Sequence, residues 1–69
     1  MYIYEFKISF FNALDDDGYS RTKVIRANSY LEAYNQMTSF AIAELDDTFV
    51  WYTPFLTWTN DPIPEVTNV

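Results

Sequence analysis

The chain has 69 residues, which is enough for one small domain with a correspondingly small hydrophobic core. It contains no cysteine and no histidine, which excludes disulfides, thiolate zinc sites and Ser–His or Cys–His catalysis. The formal net charge is −6, and aromatic residues make up 20% of the chain. So short a chain cannot enclose all these rings, and we expect a surface aromatic patch of the kind that marks a contact surface.

The same composition predicts a non-enzymatic protein without a cofactor. A chain without cysteine is typical of the reducing cytosol, so we predict a cytoplasmic location. The single glycine, Gly18, excludes a glycine-rich phosphate loop. No stretch has the length of a membrane span, and the first residues lack the basic-then-apolar order of a signal peptide.

Residues 2–12 alternate between apolar and polar side chains, which predicts a half-buried strand. The apolar side of this strand consists of Tyr2, Tyr4, Phe6, Ile8 and Phe10. Ile3 and Phe11 interrupt the polar side. Two interpretations stay open for this pair, namely burial under the C-terminal segment and membership of a contact surface.

A run of aspartates, Asp15, Asp16 and Asp17, precedes Gly18, and Asp-Gly is a strong hairpin signal. Clustered aspartates also suggest a calcium site. Calcium needs six to eight oxygen ligands, and a loop of the EF-hand type spaces its carboxylates along twelve residues and ends in a bidentate acid. Here the position five residues beyond Asp17 is Thr22. We therefore expect a solvated turn and no metal site.

Residues 19–27 are rich in β-branched side chains and predict the second strand of the hairpin. This strand carries Arg21, Lys23 and Arg26. These cations either pair across the hairpin with Glu5, offset the acidic surroundings of the strand, or form a basic strip for a phosphate backbone. The net charge of −6 favours the first interpretation over a nucleic-acid module.

Residues 27–45 predict the helix of the domain. Ser29 and Glu32 form a capping box, in which each side chain is expected to bond the backbone N–H of the other residue. The apolar stripe comprises Tyr30, Ala33, Tyr34, Met37, Phe40, Ala41 and Leu45, of which Tyr34 and Met37 are expected in the core.

Leu31 and Ile42 widen this stripe to roughly half the circumference, more than the ~100° that packing on one sheet requires. Either the C-terminal segment, a second subunit or another partner is expected to cover this flank.

Glu44, Asp46 and Asp47 place negative charge at the C-terminus of the helix, which its dipole disfavours. Acidic residues at a position where the helix dipole disfavours them indicate either a functional surface or a well-solvated loop.

Residues 48–59 contain a dense apolar run whose first half predicts a strand. Pro54 marks an edge position, a bend or a break between two short strands, because proline cannot donate to a ladder. The aromatic members of the run are Phe49, Trp51, Tyr52, Phe55 and Trp58, too many for a core built by one helix and one hairpin. We therefore place the main contact surface here.

The predicted fold class is α+β, with the order β-β-α-β, a three-stranded antiparallel sheet and one helix packed on one face. One domain spans residues 1–60, and residues 61–69 form an extended or disordered tail. The order of elements, with Ala27, Ser29, Glu32 and Ala33 opening the helix, resembles small phage-encoded proteins over residues 2–53. Some anti-CRISPR proteins and other host-takeover inhibitors belong to this group, which implies the host cytosol as the location.

These observations predict a protein-binding module, in its sharpest form an acidic inhibitor that mimics DNA and occludes a basic groove of a host nucleic-acid-processing complex. The predicted contact residues are Asp15, Asp16, Asp17, Glu44, Asp46, Asp47, Trp51, Tyr52 and Trp58. The alternative is a small homo-oligomeric assembly protein that buries its aromatic C-terminal strand against a second copy. A carboxylate-based enzyme is the third hypothesis, with little room for a pocket in so small a domain.

Overall fold

The computed structural model describes residues 1–12 and 18–62. Within this part of the chain the elements are β1 (Tyr2–Asn12), β2 (Gly18–Ala27), α1 (Tyr30–Glu44) and β3 (Phe49–Thr59). The strands form one antiparallel sheet in the order β2-β1-β3. The predicted fold class is confirmed, while the predicted tail from residue 63 onwards lies outside the described residues.

Strand β1 lies in the centre of the sheet and supplies four of the five largest fully buried side chains in the described part of the chain. Its alternating apolar side chains Tyr4, Phe6, Ile8 and Phe10 are at most 1% exposed. Burial of each such side chain contributes about 1.5–3 kcal/mol. The period-two pattern therefore predicts the buried side of β1 correctly, and these side chains form one core cluster with Ala33, Met37 and Ala41 of the helix.

The N-terminus of α1 has the predicted cap in one half only. The backbone N–H of Glu32 donates to the Ser29 hydroxyl at 3.2 Å, as expected. The Glu32 carboxylate, however, accepts from the backbone N–H of Asn28 at 3.4 Å instead of that of Ser29. The predicted helix is also too long at its start, since residues 27–29 are strand end and cap and α1 begins at Tyr30.

Helix α1 lies across β1 and β2, and its buried residues are Ala33, Met37 and Ala41. Met37 is fully buried, as predicted, but Tyr34 is 36% exposed. The Tyr34 ring contacts the edge of Phe6, with centroids 6.3 Å apart, and keeps its other side in solvent. The prediction of Tyr34 as a core residue is wrong, because the helix packs chiefly over β2 and β1 and leaves this side chain at the margin of the contact.

Strand β3 is an edge strand that runs without interruption through Pro54, which lies opposite Ile8. Of the three alternatives for Pro54, the edge position is therefore correct. The register between β1 and β3 shifts at two places, between Glu5 and Phe6 and between Phe11 and Asn12. Each shift inserts one extra residue into β3 and changes which side of the sheet the next side chain occupies.

Candidate functional site

The side of the sheet that faces away from α1 has no packing layer of its own in the described part of the chain, and we call it the open face. The register places thirteen side chains there: Ile3, Glu5, Lys7, Ser9 and Phe11 of β1, Ser20, Thr22, Val24 and Arg26 of β2, and Trp51, Thr53, Phe55 and Trp58 of β3.

Three aromatic rings of β3 dominate the open face. Trp51 is 53% exposed, Phe55 67% and Trp58 54%. Trp51 and Trp58 are predicted contact residues that the structure brings to the same face. Phe55 was not among the predicted contact residues, although its spacing from Trp51 along an alternating strand places the two rings on one face.

Tyr52, by contrast, lies on the side of the sheet that faces the helix. It is half-buried, and its ring centroid is 6.5 Å from that of Phe10. Tyr52 therefore does not share the open face with Trp51, because neighbouring residues in a strand point to opposite faces, and its role as a contact residue stays a prediction.

The open face also carries charge along β1. Glu5 lies opposite Val24 and Trp58, and Lys7 lies opposite Thr22 and Phe55. The Glu5 carboxylate accepts from the Thr57 hydroxyl at 2.8 Å. The expected cross-hairpin pairing of Glu5 with the cations of β2 is wrong.

Ile3 and Phe11, which interrupt the polar side of β1, are half-buried members of the open face. Phe11 lies opposite Trp51, so its ring extends the aromatic row of β3 onto the central strand. Ile3 is fixed at the other end, where its backbone N–H donates to the Asn60 side chain at 2.8 Å. Both residues therefore enlarge the apolar part of this face.

On the helix side of the sheet, Glu44 belongs to an intramolecular cluster and not to a free acidic surface. Its carboxylate accepts from Arg21 Nε at 2.8 Å and from the Tyr19 hydroxyl at 3.3 Å. This contact raises the pKa of Arg21, chiefly through the hydrogen bond and charge of Glu44. Glu44 thus neutralises a cation of β2, which explains an acid in the last turn of the helix.

Asp46 also has a structural role. Its carboxylate accepts from the backbone N–H groups of Thr48 and Phe49, each at 2.8 Å. These two hydrogen bonds lower the pKa of Asp46. Of the three predicted contact residues in this region, only Asp47 is exposed without such a role in the described contacts. Both interpretations of this segment, a functional surface and a well-solvated loop, stay predictions.

The three cations of β2 do not form a continuous strip. Arg21 faces the helix side and bonds Glu44, and Lys23 lies over the Phe40 ring, with its ammonium 4.9 Å from the ring centroid. Arg26 lies on the opposite side, in the open face. Strand alternation therefore separates the residues that suggested a phosphate-binding strip.

The aspartate run Asp15, Asp16 and Asp17 lies outside the described residues, so its predicted roles stay predictions. Within residues 1–12 and 18–62, no group of three or more His, Cys, Asp or Glu side chains is placed to bind a metal ion. Two shallow depressions of about 160 and 190 Å³ lie beside Met1 and beside Phe11. Both are smaller than the ~300 Å³ at which small-molecule sites begin.

In the described part of the chain, no helix is long and apolar enough to cross a membrane. Comparison of the sequence and the fold with family models, curated proteins and solved structures found no match.

Proposed function

We propose that this chain is a non-enzymatic protein-binding module that contacts its partner with the open face. The observation that carries the proposal is the row of Trp51, Phe55 and Trp58, each more than half exposed. Since an aromatic side chain buries 150–250 Å² when covered, these rings leave roughly 400 Å² of apolar surface in water. Patches of this size on a monomer are often functional, and tryptophan is enriched among residues that dominate binding energy.

The position of the aromatic row supports a contact through the face of the sheet and not through its edge. An exposed apolar edge strand is a liability, because its free N–H and C=O groups can pair with another chain. Pro54 lies in the middle of β3 and has no N–H to offer to a further strand. The proline therefore opposes pairing along the edge, while the rings on the open face stay available.

The sharper form of the proposal is inhibition of a nucleic-acid-processing complex, with the acidic chain occupying a basic groove as a DNA mimic. The net charge of −6 supports it, because opposite charge speeds association with a basic surface. Glu44 and Asp46 are engaged within the chain, so the predicted acidic contact falls to Asp47 and the run at 15–17. The absence of cysteine supports a cytosolic setting for this activity.

Affinity capture from a lysate of the source cell, with nuclease present, tests the proposal. The informative variant is Phe55→Lys, and its matched control is Ile42→Lys on the helix, because the two side chains are 67% and 57% exposed. We expect a stoichiometric protein partner that is lost with Phe55→Lys and kept with Ile42→Lys. Equal capture by wild type and Phe55→Lys would contradict the proposal.

Salt dependence tests the inhibitor form separately. Reversing the charges of Asp15, Asp16, Asp17 and Asp47 to lysine should weaken binding of the captured partner and flatten its dependence on ionic strength. If affinity and salt dependence both stay unchanged, the acidic residues do not contact the partner and the DNA-mimic form is wrong.

A further inference from the structure

Two cross-strand pairs between β1 and β3 each combine a charged residue with an aromatic residue, and the charged residues of the two pairs have opposite sign. Glu5 lies opposite Trp58, and two residues further along β1, Lys7 lies opposite Phe55. All four side chains belong to the open face. The two cross-strand pairs are about 7 Å apart, since a strand rises about 3.4 Å per residue.

This arrangement is complementary to itself. In a two-fold symmetric interface the same patch of each subunit meets its copy, so residue i contacts residue j and j contacts i. Two sheets can stack with their open faces together about a two-fold axis that runs between them. If this axis is perpendicular to the strands and lies midway between the two cross-strand pairs, it places the Glu5–Trp58 pair over the Lys7–Phe55 pair of the partner. Each carboxylate then meets an ammonium group, and each indole meets a phenyl ring.

We propose that the partner of the open face is a second copy of this chain, packed sheet against sheet about this axis. The inference rests on the proposed function, because it keeps the open face as the protein-binding surface and names a second copy, in place of a foreign complex, as the protein bound there. The aromatic rows of the two β3 strands would supply the apolar centre of the interface, and the Glu5–Lys7 contacts would fix its register.

The size of the open face fits such a dimer. Three strands spaced about 4.8 Å apart and about ten residues long give a footprint of roughly 500 Å². Two copies would therefore bury about 1,000 Å², the lower limit for a specific interface. Stacked sheets pack about 10 Å apart, which leaves room for interdigitated tryptophan and phenylalanine rings.

The distribution of charge also favours a second copy at this face. Apart from Glu5, the described acidic residues lie on the helix, in the turn after it or beyond β3: Glu32, Glu44, Asp46, Asp47 and Asp61. The open face carries Lys7 and Arg26 against Glu5, so it does not share the negative charge of the whole chain. Two chains of charge −6 can meet here with the least repulsion.

The same charges make a single-stranded nucleic acid the poorer occupant. Proteins that stack bases on exposed rings also line the strand with a positively charged groove. Here the two cations of the face stand at separate positions on β1 and β2, and Lys7 is two residues from Glu5.

Charge reversal in trans tests the inference. In Lys7→Glu both charge contacts between residues 5 and 7 of the two copies bring carboxylates together. In Glu5→Lys the same two contacts bring ammonium groups together. We expect sedimentation velocity to show a wild-type dimer at high micromolar concentration, and dissociation constants raised about tenfold or more in each variant. An equimolar mixture of the two variants should restore the dimer, because each contact then joins opposite charges.

Gln36→Glu on the exposed side of α1 is the control, since it adds negative charge away from the interface and should leave the dimer unchanged. Thermal unfolding of each variant establishes that it is folded. A wild-type chain that stays monomeric, together with a mixture that stays monomeric, overturns the inference. Binding of a single-stranded oligonucleotide at low salt that is lost in Phe55→Lys also overturns it, since a nucleic acid would then occupy the face.

The outcomes separate the inference from the proposed function. A monomeric chain whose captured protein partner is lost with Phe55→Lys overturns the second copy as occupant and keeps the open face as a protein-binding surface. A monomeric chain whose capture is insensitive to Phe55→Lys overturns both.

Discussion

Gly18 begins β2 directly beside the backbone of β1. A Cβ atom at this position would lie 2.4 Å from the carbonyl oxygen of Phe10. Its φ angle is not positive, so the glycine is required for space and not for a left-handed conformation. The Asp-Gly pair thus identifies the hairpin correctly, but Gly18 itself belongs to the strand, where it pairs with Phe11.

We predict that Gly18→Ala destabilises the domain by about 1–3 kcal/mol, because the strands must separate locally to accommodate a methyl group. Urea unfolding measures the change. Ser20→Ala, at an exposed position two residues further along β2, should change stability by less than about 0.5 kcal/mol. A Gly18→Ala variant as stable as Ser20→Ala would show that the approach of Phe10 to Gly18 is not a constraint.

Asp46 links stability to pH. Its pKa is lowered from the ordinary value of 3.8 by the hydrogen bonds from Phe49 and Thr48. The stabilisation is therefore complete above the ordinary pKa and is lost as pH falls through the lowered value of the folded state. We predict that Asp46→Ala lowers the melting temperature at neutral pH and reduces the loss of stability on acidification.

Thermal unfolding between pH 2 and pH 6 checks this prediction, with Asp47→Ala as the control. Asp47 is exposed and adjacent, but it is not an acceptor for the Thr48 and Phe49 amides. Identical pH profiles of the two variants would mean that the Asp46 carboxylate does not stabilise the turn.

At the scale of elements, α1 attaches to the sheet through a narrow line of small and flexible residues. Ala33, Met37 and Ala41 are completely buried, while Leu31 and Ile42 are 62% and 57% exposed. Leu31 and Ile42 are eleven positions apart, which corresponds to about 16 Å along a helix. Single exposed apolar residues at such a distance need no partner, so the wide apolar arc does not by itself indicate a second contact surface.

We predict that Met37→Ala destabilises the domain by about 2–5 kcal/mol, because it opens a cavity at the centre of the helix–sheet contact. This is a large part of the total stability of a 69-residue chain, for which about 3–10 kcal/mol is typical. Circular dichroism during urea unfolding measures the change. Ile42→Ala should cost less than about 1 kcal/mol, and equal effects of the two substitutions would contradict the observed helix orientation.

The sequence predicts the elements better than it predicts their faces. Period-two alternation identifies β1 and its buried side, because that strand is regular from end to end. In β3 the same rule fails at the bulges. Phe49 and Trp51 have the same parity, yet Phe49 packs on Tyr19 on the helix side, with ring centroids 4.8 Å apart, while Trp51 lies on the open face.

Such bulges depend on contacts between β1 and β3, and the residues paired at them lie roughly 40 to 50 positions apart in the chain. The hydroxyl of Thr57, the extra residue of one bulge, bonds both the carbonyl oxygen and the carboxylate of Glu5. No local pattern around residue 57 indicates this. The role of the acid at the end of the helix could not be predicted for the same reason, since the partner of Glu44 is Arg21 on a different element.

At the scale of the whole molecule, the two sides of the sheet differ in kind. One side is closed by α1 over a core of β1 side chains, and the other presents aromatic rings and the Glu5–Lys7 sequence to solvent. The fold itself does not require rings at positions 51, 55 and 58, because polar β-branched residues would suit an exposed strand equally well. Their presence is the main reason to regard the open face as a contact surface.

Both tryptophans of the chain, Trp51 and Trp58, lie on this face, so their fluorescence reports on it selectively. Acrylamide quenching of tryptophan emission as a function of chain concentration is the most direct test of a second copy at the open face. We predict that quenching becomes weaker and the emission shifts to shorter wavelength as concentration rises into the high micromolar range, and that Phe55→Lys abolishes both changes. Quenching that stays strong and equal at every concentration would mean that the tryptophans remain in water and that no second copy covers the open face.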